Sequence, residues 1–187
     1  MLSLGAAVPD RESDVALLEF RLIGVIRSPH SRAEDTPIQP TFAKGIPSQV
    51  EILPEYERGL RDIDGFSHLY LLYVFDRAEP ARMEVTPYLD NQPRGVFATR
   101  APCRPNPLGL SLVRLMRRDG RVLHIEDVDI LDGTPLFDIK PYVSRFDTLE
   151  GARCGWQDEI DEGTARVKGR RGYQSDQVEG KPSAGDI

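Results

Sequence analysis

The feature of this sequence that most constrains its fold is a series of short apolar runs, which proline and glycine interrupt at close intervals. The 187 residues include 15 prolines and 16 glycines, and they leave scarcely any room for a helix. Apolar runs of this length, bounded by turn-forming residues, are typical of β-strands. The predicted strands are 19–27, 49–53, 67–75, 95–99, 108–116, 121–130 and 139–143.

Local residue chemistry predicts how some of these strands end and connect. Pro29 ends the first strand, because proline removes a donor from the ladder of a sheet. The continuous apolar and aromatic run 67–75 predicts a strand buried on both faces. Asp119-Gly120 between two apolar runs predicts a hairpin. Residues 54–60, which begin with proline and have glycine near their end, predict one or two helical turns.

Together these elements predict a mainly β protein, either an antiparallel barrel or a sandwich, with short helical turns. The sequence has no strand–helix–strand rhythm and no GxGxxG motif. A Rossmann-type nucleotide-binding sheet is therefore not expected, and neither are the commonest methyltransferase and dehydrogenase frameworks.

The length suits one domain with tails, and we predict a single folded unit over 19–160. Residues 1–18 have no sustained period and are interpreted as a flexible leader, and the polar, glycine-rich 161–187 as a disordered tail. No apolar run could cross a bilayer, and the start lacks a secretion signal, so we expect no membrane partner and a cytoplasmic location. The two cysteines form no zinc motif, so no metal is expected.

The formal net charge of −6 is concentrated near the ends of the chain, while the middle is nearly neutral. Among the basic residues of 20–156, only Lys44 and Lys140 are lysines, and the others are arginines. Arginine is favoured where bidentate contact to phosphate or carboxylate matters. GC-rich coding gives the same bias, so the composition supports nucleic-acid binding only weakly.

A first unusual segment follows the first predicted strand. Pro37 and Pro40 bracket Ile38 and Gln39, and they hold the Gln39 amide in one direction. A rigid amide that offers both a donor and an acceptor suits the edge of a base or an amino acid. An ordinary proline-rich connection is the alternative.

A second unusual segment is 100–109, in which three prolines fix the backbone. They leave Arg100, Arg104 and Asn106 on a rigid loop at the ends of two strands. Two guanidiniums and one amide match a substrate with a phosphate or carboxylate and a base edge. A structural loop with solvated arginines is the alternative.

A third unusual segment contains the turn signal Asp132-Gly133-Thr134-Pro135. The Asp132 carboxylate, or main-chain groups at Gly133 and Thr134, could receive the amino group and hydroxyls of a small ligand. Further on, Asp138 and Lys140 alternate with an isoleucine and share one face of a strand, where they could also simply pair with each other.

Five motifs in these regions match a known family. They are Gly24-Val25-Ile26-Arg27-Ser28-Pro29, Phe66-Ser67-His68-Leu69, Gly95-Val96-Phe97-Ala98-Thr99-Arg100, Arg104-Pro105-Asn106-Pro107, and Asp132-Gly133-Thr134-Pro135 with Asp138-Ile139-Lys140-Pro141-Tyr142. In order and spacing, across about residues 20–145, the sequence closely resembles the TsaA-like (TrmO, YaeB, VirR) family.

This resemblance implies a single small antiparallel β-barrel of the TrmO type, which forms a homodimer and binds S-adenosyl-L-methionine. The best-known members methylate N6 of the threonylcarbamoyl-adenosine next to the anticodon of threonine tRNA, so tRNA is the implied partner. Carried over by motif, the implied cofactor contacts are Ile38, Gln39, Pro40, Arg77, Ala78, Arg100, Leu110, Leu131, Asp132, Gly133 and Thr134.

On this resemblance we hypothesise direct methyl transfer, with Asn106 orienting the N6 side and Asp138 as a proton acceptor. Arg104 would take an RNA phosphate or the threonine carboxylate, and Lys140 and Tyr142 would also bind substrate. The bacterial long form has a further domain after the Asp-Ile-Lys-Pro-Tyr strand, so this chain resembles the short form. A small-molecule methyltransferase and a non-catalytic cofactor-sensing or RNA-binding regulator are the alternatives.

Overall fold

The computed structural model describes residues 19–161 and 163 of the chain. The predicted leader 1–18 and all of the predicted tail 161–187 except residues 161 and 163 lie outside the described residues. The strands are β1 (Gly24–Arg27), β2 (Ser48–Ile52), β3 (His68–Val74), β4 (Glu84–Val85), β5 (Arg94–Gly95), β6 (Leu108–Asp119), β7 (Val122–Glu126) and β8 (Thr134–Pro141). The helical elements are α1 (Ser144–Asp147) and the 3-10 turns Pro40–Phe42, Pro54–Leu60, Ile63–Gly65, Val96–Ala98 and Gly155–Glu159.

Six of the strands close into a barrel in the order β1-β2-β7-β6-β3-β8, with β8 returning to β1. Every neighbouring pair in the barrel is antiparallel. Strands β4 and β5 form a separate two-stranded ribbon in the long connection between β3 and β6. The predicted mainly β fold, an antiparallel barrel with short helical turns, is confirmed.

The core lies inside the barrel and comes from alternate residues of its strands. On β3, for example, Leu69, Leu71 and Tyr73 are buried, while the residues between them face outward and are partly exposed. Burying one such leucine contributes about 1.5–3 kcal/mol, so the inward-facing side chains together are the main source of the stability of the barrel. The inward-facing residues are Ile26, Val50, Ile52, Leu69, Leu71, Tyr73, Val113, Leu115, Leu123, Ile125 and Leu136.

Antiparallel pairing brings the strand ends that matter to one rim of the barrel. The end of β1 lies beside the start of β8, where Ile26 pairs with Thr134. The end of β3 lies beside the start of β6, where Val74 pairs with Leu108. The connections 28–47, 75–107 and 127–133 therefore all meet at this end, which we call the loop rim. The first two unusual segments and the turn 132–135 of the third lie there, whereas residues 138–142 run toward the opposite end of the barrel.

The β6–β7 hairpin confirms the prediction from Asp119-Gly120. Asp119 pairs with Val122 across a two-residue turn, and Gly120 has a φ of +56°, a conformation that glycine adopts at little cost. The helical turn predicted at 54–60 is also present, as the 3-10 turn Pro54–Leu60.

Several predicted strand boundaries are wrong. The predicted strand 95–99 is a 3-10 turn, Val96–Ala98, preceded by the two-residue strand β5. Strand β1 begins at Gly24 rather than at 19, and β8 begins at Thr134 rather than at 139. Burial of 67–75 on both faces is also wrong, because in a small barrel one face of every strand points outward.

Candidate functional site

Two loops of the rim are tied to each other next to the β1–β8 pair. The Ser28 hydroxyl donates a hydrogen bond to the Ile130 carbonyl at 2.6 Å, and the Asp132 amide donates to the His30 carbonyl at 2.8 Å. The Asp132 carboxylate accepts a hydrogen bond from the Ser28 amide at 3.2 Å. Residues 28–30 and 130–133 therefore form one rigid base, and part of the Asp132 carboxylate serves to hold it.

Arg77 joins this base from the end of β3. Its Nη2 donates a hydrogen bond to the Asp132 carbonyl at 2.6 Å. Gly133 has a φ of +77°, and a Cβ at that position would lie 3.4 Å from Arg77 Nη2. The sequence thus needs glycine here for the backbone conformation, and the guanidinium lies in contact with the position that a Cβ would take. We call Arg77, Asp132 and Gly133 the turn cluster.

A cavity of about 470 Å³ opens at the same rim, and the three residues of the turn cluster are not part of its lining. Its volume falls in the range of about 300–1,000 Å³ that is usual for small-molecule and cofactor sites. Six of the predicted site residues line it: Ile38, Gln39, Arg100, Arg104, Asn106 and Leu110. Its other lining residues are Tyr73, Phe75, Phe97, Thr99, Pro105, Leu108, Gly109 and Asp129.

The first and second unusual segments meet in this cavity. Arg100 Nη1 donates a hydrogen bond to Gln39 Oε1 at 2.9 Å, across 61 residues of sequence. This bond leaves the Gln39 amide NH₂ group available as a donor and keeps the Arg100 guanidinium at the cavity wall. Gln39 and Arg100, which the sequence singled out in two separate segments, therefore contact each other.

The Arg104 side chain forms hydrogen bonds within the proline loop, which the sequence did not indicate. Its Nη1 donates to the carbonyl of Thr99 at 3.2 Å and to that of Ala101 at 3.4 Å. The guanidinium therefore fastens the proline loop while it lines the cavity. Asn106 also lines the cavity, and its carbonyl accepts a hydrogen bond from the Leu108 amide at 2.7 Å.

The other predicted residues lie outside the lining of the cavity. Pro40 begins the 3-10 turn after Gln39, and Ala78 closes a turn by donating its amide to the Phe75 carbonyl at 3.1 Å. Thr134 is buried, and its hydroxyl donates to the Leu131 carbonyl at 2.8 Å. Leu131 is partly exposed beside the turn cluster.

Asp138, Lys140 and Tyr142 lie along β8 and just beyond it, on the outer surface of the barrel. Lys140 Nζ is 2.8 Å from Asp138 Oδ2, so these side chains pair with each other, which was the alternative reading of their spacing. Asp138 lies opposite Leu72, and Leu72 lies opposite the cavity residue Leu110, so the carboxylate is two strands away from the cavity lining.

Tyr70 lies on the outward face of β3 and contacts Tyr142, and sequence reasoning did not single it out. Its ring lies 6.0 Å from that of Tyr142, edge to face. Burial raises the pKa of the Tyr70 phenol, the negative charge of Asp147 and the Tyr142 phenol raise it further, and the positive charge of Arg100 opposes them. Tyr70 therefore stays a neutral hydrogen-bonding group in neutral solution.

Sequence reasoning also missed a buried polar chain at the cavity floor. The Ser111 hydroxyl donates to Asp129 Oδ1 at 2.6 Å and lies 3.0 Å from the Tyr73 hydroxyl. Asp129 is 5% exposed, and a buried carboxylate persists only with such hydrogen bonds. Gly109 makes room for the chain, since a Cβ there would overlap the Tyr73 ring. Ser111 is 18 residues from Asp129 and 38 residues from Tyr73, so no sequence motif indicates these contacts.

The described residues contain neither a metal-ligand cluster nor a membrane-spanning helix. Residues 19–161 and 163 contain no group of three or more His, Cys, Asp or Glu side chains that could hold a metal ion. In the same part of the chain, no helix combines the length and the apolar character that a membrane span requires.

The fold and the cavity define a class: small closed antiparallel barrels with a polar ligand pocket among the loops of one rim. Comparison with known proteins gives the family. The model of the tRNA-methyltransferase O N-terminal domain matches residues 25–148, and the chain belongs to this TrmO family. The resemblance stated from the sequence is therefore confirmed.

Relatives and solved structures agree with this assignment. A Pyrococcus abyssi protein named as a probable S-adenosyl-L-methionine-binding protein is 55% identical over 73% of this chain and 74% of its own length. The Escherichia coli tRNA (adenine(37)-N6)-methyltransferase is 36% identical over 74% of this chain and 63% of its own length. The crystal structure of TrmO from Pseudomonas aeruginosa superposes with a TM-score of 0.64 at 36% identity, over 75% of this chain and 63% of that one.

Proposed function

We propose that this protein is an S-adenosyl-L-methionine-dependent methyltransferase that acts on N6 of the threonylcarbamoyl-adenosine next to the anticodon of tRNA. The observation that carries the proposal is the cavity at the loop rim, where Gln39 and Arg100 meet. Membership of the TrmO family and the names of the E. coli and rat relatives, both tRNA (adenine(37)-N6)-methyltransferases, support it.

The residues at the rim fit a sulfonium nucleoside with an amino-acid tail. Gln39 offers an amide to a base edge, and Ile38 and Leu110 offer apolar surface at the cavity wall. The positively charged Arg100 suits the carboxylate of the tail. Pro40, Ala78, Leu131 and Thr134 complete the proposed binding set by shaping the loops around the turn cluster. Bound at this rim, the cofactor supplies an electrophilic methyl group.

Methyl transfer to a nitrogen requires alignment and removal of one proton. The new carbon–nitrogen bond forms as the carbon–sulfur bond breaks, and the nitrogen then loses its proton to a base. Asn106, at the cavity wall, is proposed to orient the N6 side, and Asp138 is the acceptor proposed from the sequence. Asp129 is a second candidate acceptor, because it is one of the residues that line the cavity.

The RNA is proposed to approach along the outer surface of β8 and the proline loop. Lys140 and Tyr142 lie on this outer surface, and the Lys140 side chain is 62% exposed although its ammonium pairs with Asp138. Arg104 stands at the cavity mouth, where a phosphate or the threonine carboxylate could reach it. Phosphate contacts of this kind would position the RNA, and the cavity would select the base.

We further propose that the protein is a cytoplasmic homodimer whose barrel domain spans 19–160. The outer face of β6 supports the dimer, because Leu108, Leu110 and Met116 are 43%, 52% and 47% exposed. Apolar side chains grouped on one strand face are typical of protein–protein contacts. The dimer is tested by the molecular mass in solution.

A second candidate function is cofactor binding without turnover. The specific observation that favours it is that several relatives, such as those from P. abyssi and Archaeoglobus fulgidus, are named for binding S-adenosyl-L-methionine and not for a transfer reaction. In that case the rim would sense the cofactor, and the Asp138–Lys140 ion pair would stay a structural pair.

One experiment separates these functions. Purified protein is incubated with methyl-labelled S-adenosylmethionine and either bulk tRNA or a tRNA-free metabolite extract. We expect label in tRNA, at N6 of the modified adenosine after digestion. Label only in metabolites would support a small-molecule methyltransferase, and binding without transfer would support the sensor. An Arg100→Ala variant, which removes the Gln39 contact, is the matched negative control.

A further inference from the structure

The single tryptophan of the chain, Trp156, lies outside the part that matches the family domain. The match ends at 148, and Trp156 belongs to the 3-10 turn Gly155–Glu159. Its indole Nε1 donates a hydrogen bond to the Ala98 carbonyl at 2.9 Å. The guanidinium carbon of Arg94 lies 5.7 Å from the centre of the indole, within cation–π range. The C-terminal segment is thus fastened to residues 94–98.

The residues that Trp156 contacts form the base of one cavity wall. Ala98 ends the turn Val96–Ala98, whose first residue is buried and serves as its anchor. Phe97 and Thr99, on either side of Ala98, both line the cavity, as does Arg100 one residue further. Because these residues follow one another along the backbone, a displacement of the Ala98 carbonyl moves three lining side chains together.

Contacts within the loop also hold the turn Val96–Ala98. The Thr99 hydroxyl donates to the Val96 carbonyl at 2.9 Å, and Arg94 Nε lies 2.7 Å from Asp90 Oδ2. These bonds join near neighbours and fix the local shape of the turn. Trp156 supplies a contact from a segment 58 residues away, which ties the turn Val96–Ala98 to the C-terminal segment.

We propose that Trp156 is a positioning residue for the cofactor pocket, which acts by holding the Ala98 carbonyl so that Thr99 and Arg100 face the cavity. The proposal rests on the proposed function, because it takes S-adenosylmethionine as the occupant. It assigns a role in cofactor binding to a turn that lies beyond the matched family domain.

The test compares affinity for S-adenosylhomocysteine, measured by calorimetry, in the full chain and in Trp156→Phe. Phenylalanine keeps one aromatic ring next to Arg94 and removes the N–H donor together with the five-membered ring of the indole. Losing one hydrogen bond of ordinary net strength predicts a dissociation constant raised by about two- to tenfold. Gln157→Ala is the matched control, since its side chain is exposed on the same turn, and we expect wild-type affinity.

The fluorescence of the wild-type protein gives a second readout, because Trp156 is the only indole. With excitation selective for tryptophan, adding S-adenosylhomocysteine should change its emission along the same saturation curve as the heat of binding. A variant with a lower unfolding temperature but unchanged affinity would show a merely structural role and overturn the proposal. So would wild-type binding without any change in emission. If the wild-type protein binds no cofactor at all, the proposed function itself fails.

Discussion

Replacing Gly109 by alanine should both destabilise the barrel and damage the cavity. A Cβ at this position would overlap the Tyr73 ring, with ring carbon Cδ2 only 2.8 Å away. Tyr73 is 3% exposed and lines the cavity, so a displaced ring would enter the cavity and break the 3.0 Å contact between its hydroxyl and Ser111. Overpacking of about 1–3 kcal/mol and a lost hydrogen bond of about 1 kcal/mol add to about 2–4 kcal/mol of stability.

Thermal unfolding followed by circular dichroism measures this loss. For a protein of this size, each kcal/mol lowers the midpoint by about 2–4 °C, so Gly109→Ala should melt roughly 5–15 °C below the wild type. Gly59→Ala is the control, because a Cβ at Gly59 meets nothing within 4 Å, and its midpoint should stay near the wild-type value. Equal midpoints for both variants would show that the Tyr73 ring does not occupy the space above Gly109.

Three further predictions concern the site. Asp129→Asn keeps an acceptor for the Ser111 hydroxyl. If Asp129 is the base, this variant should methylate tRNA about 10²–10⁴-fold more slowly with unchanged cofactor affinity, and Asp138→Asn should have little effect. The reverse result would assign the proton to Asp138. Gly133→Ala should cost about 1–2 kcal/mol by urea unfolding and weaken cofactor binding, because φ is +77° there and Arg77 is close; wild-type values would contradict this. The hydrogen bond from Arg94 lowers the pKa of Asp90 in the folded protein. The Asp90 carboxylate therefore stabilises the fold above the ordinary aspartate pKa, and this stabilisation is lost as the pH falls through the lower pKa of the folded state. The difference in melting temperature between the wild type and Asp90→Asn should accordingly be largest at pH 7 and vanish in strong acid.

Much of the barrel could be predicted from the sequence, because its signals are local. The hairpin at Asp119-Gly120 and the turn at Pro54 depend on neighbouring residues alone, and both are present. The run 95–99 was misread because a short apolar stretch fits several elements. In the structure Val96 is buried and Phe97 is 75% exposed on a 3-10 turn, a difference that neighbouring loops decide.

The sequence indicated those candidate site residues that lie next to or near prolines. It did not indicate those whose hydrogen-bond partners are distant in the sequence. Gln39 and Arg100, each next to or near prolines, were singled out from composition, and the structure joins them by a hydrogen bond. Asp129 depends on Ser111, 18 residues away, and Trp156 depends on Ala98, 58 residues away. Such pairs become neighbours only when the barrel closes, so no local pattern indicates them.

The central claim is that the cavity where Gln39 meets Arg100 binds S-adenosylmethionine. Its most direct test is a calorimetric titration of the purified protein with S-adenosylmethionine, repeated for Gln39→Ala, Arg100→Ala and the double variant. We predict saturable binding by the wild type, weaker binding by each single variant, and a double variant whose loss is smaller than the sum of the two, because the side chains share one hydrogen bond. Absence of heat with the wild type, or full affinity in the double variant, would contradict the claim.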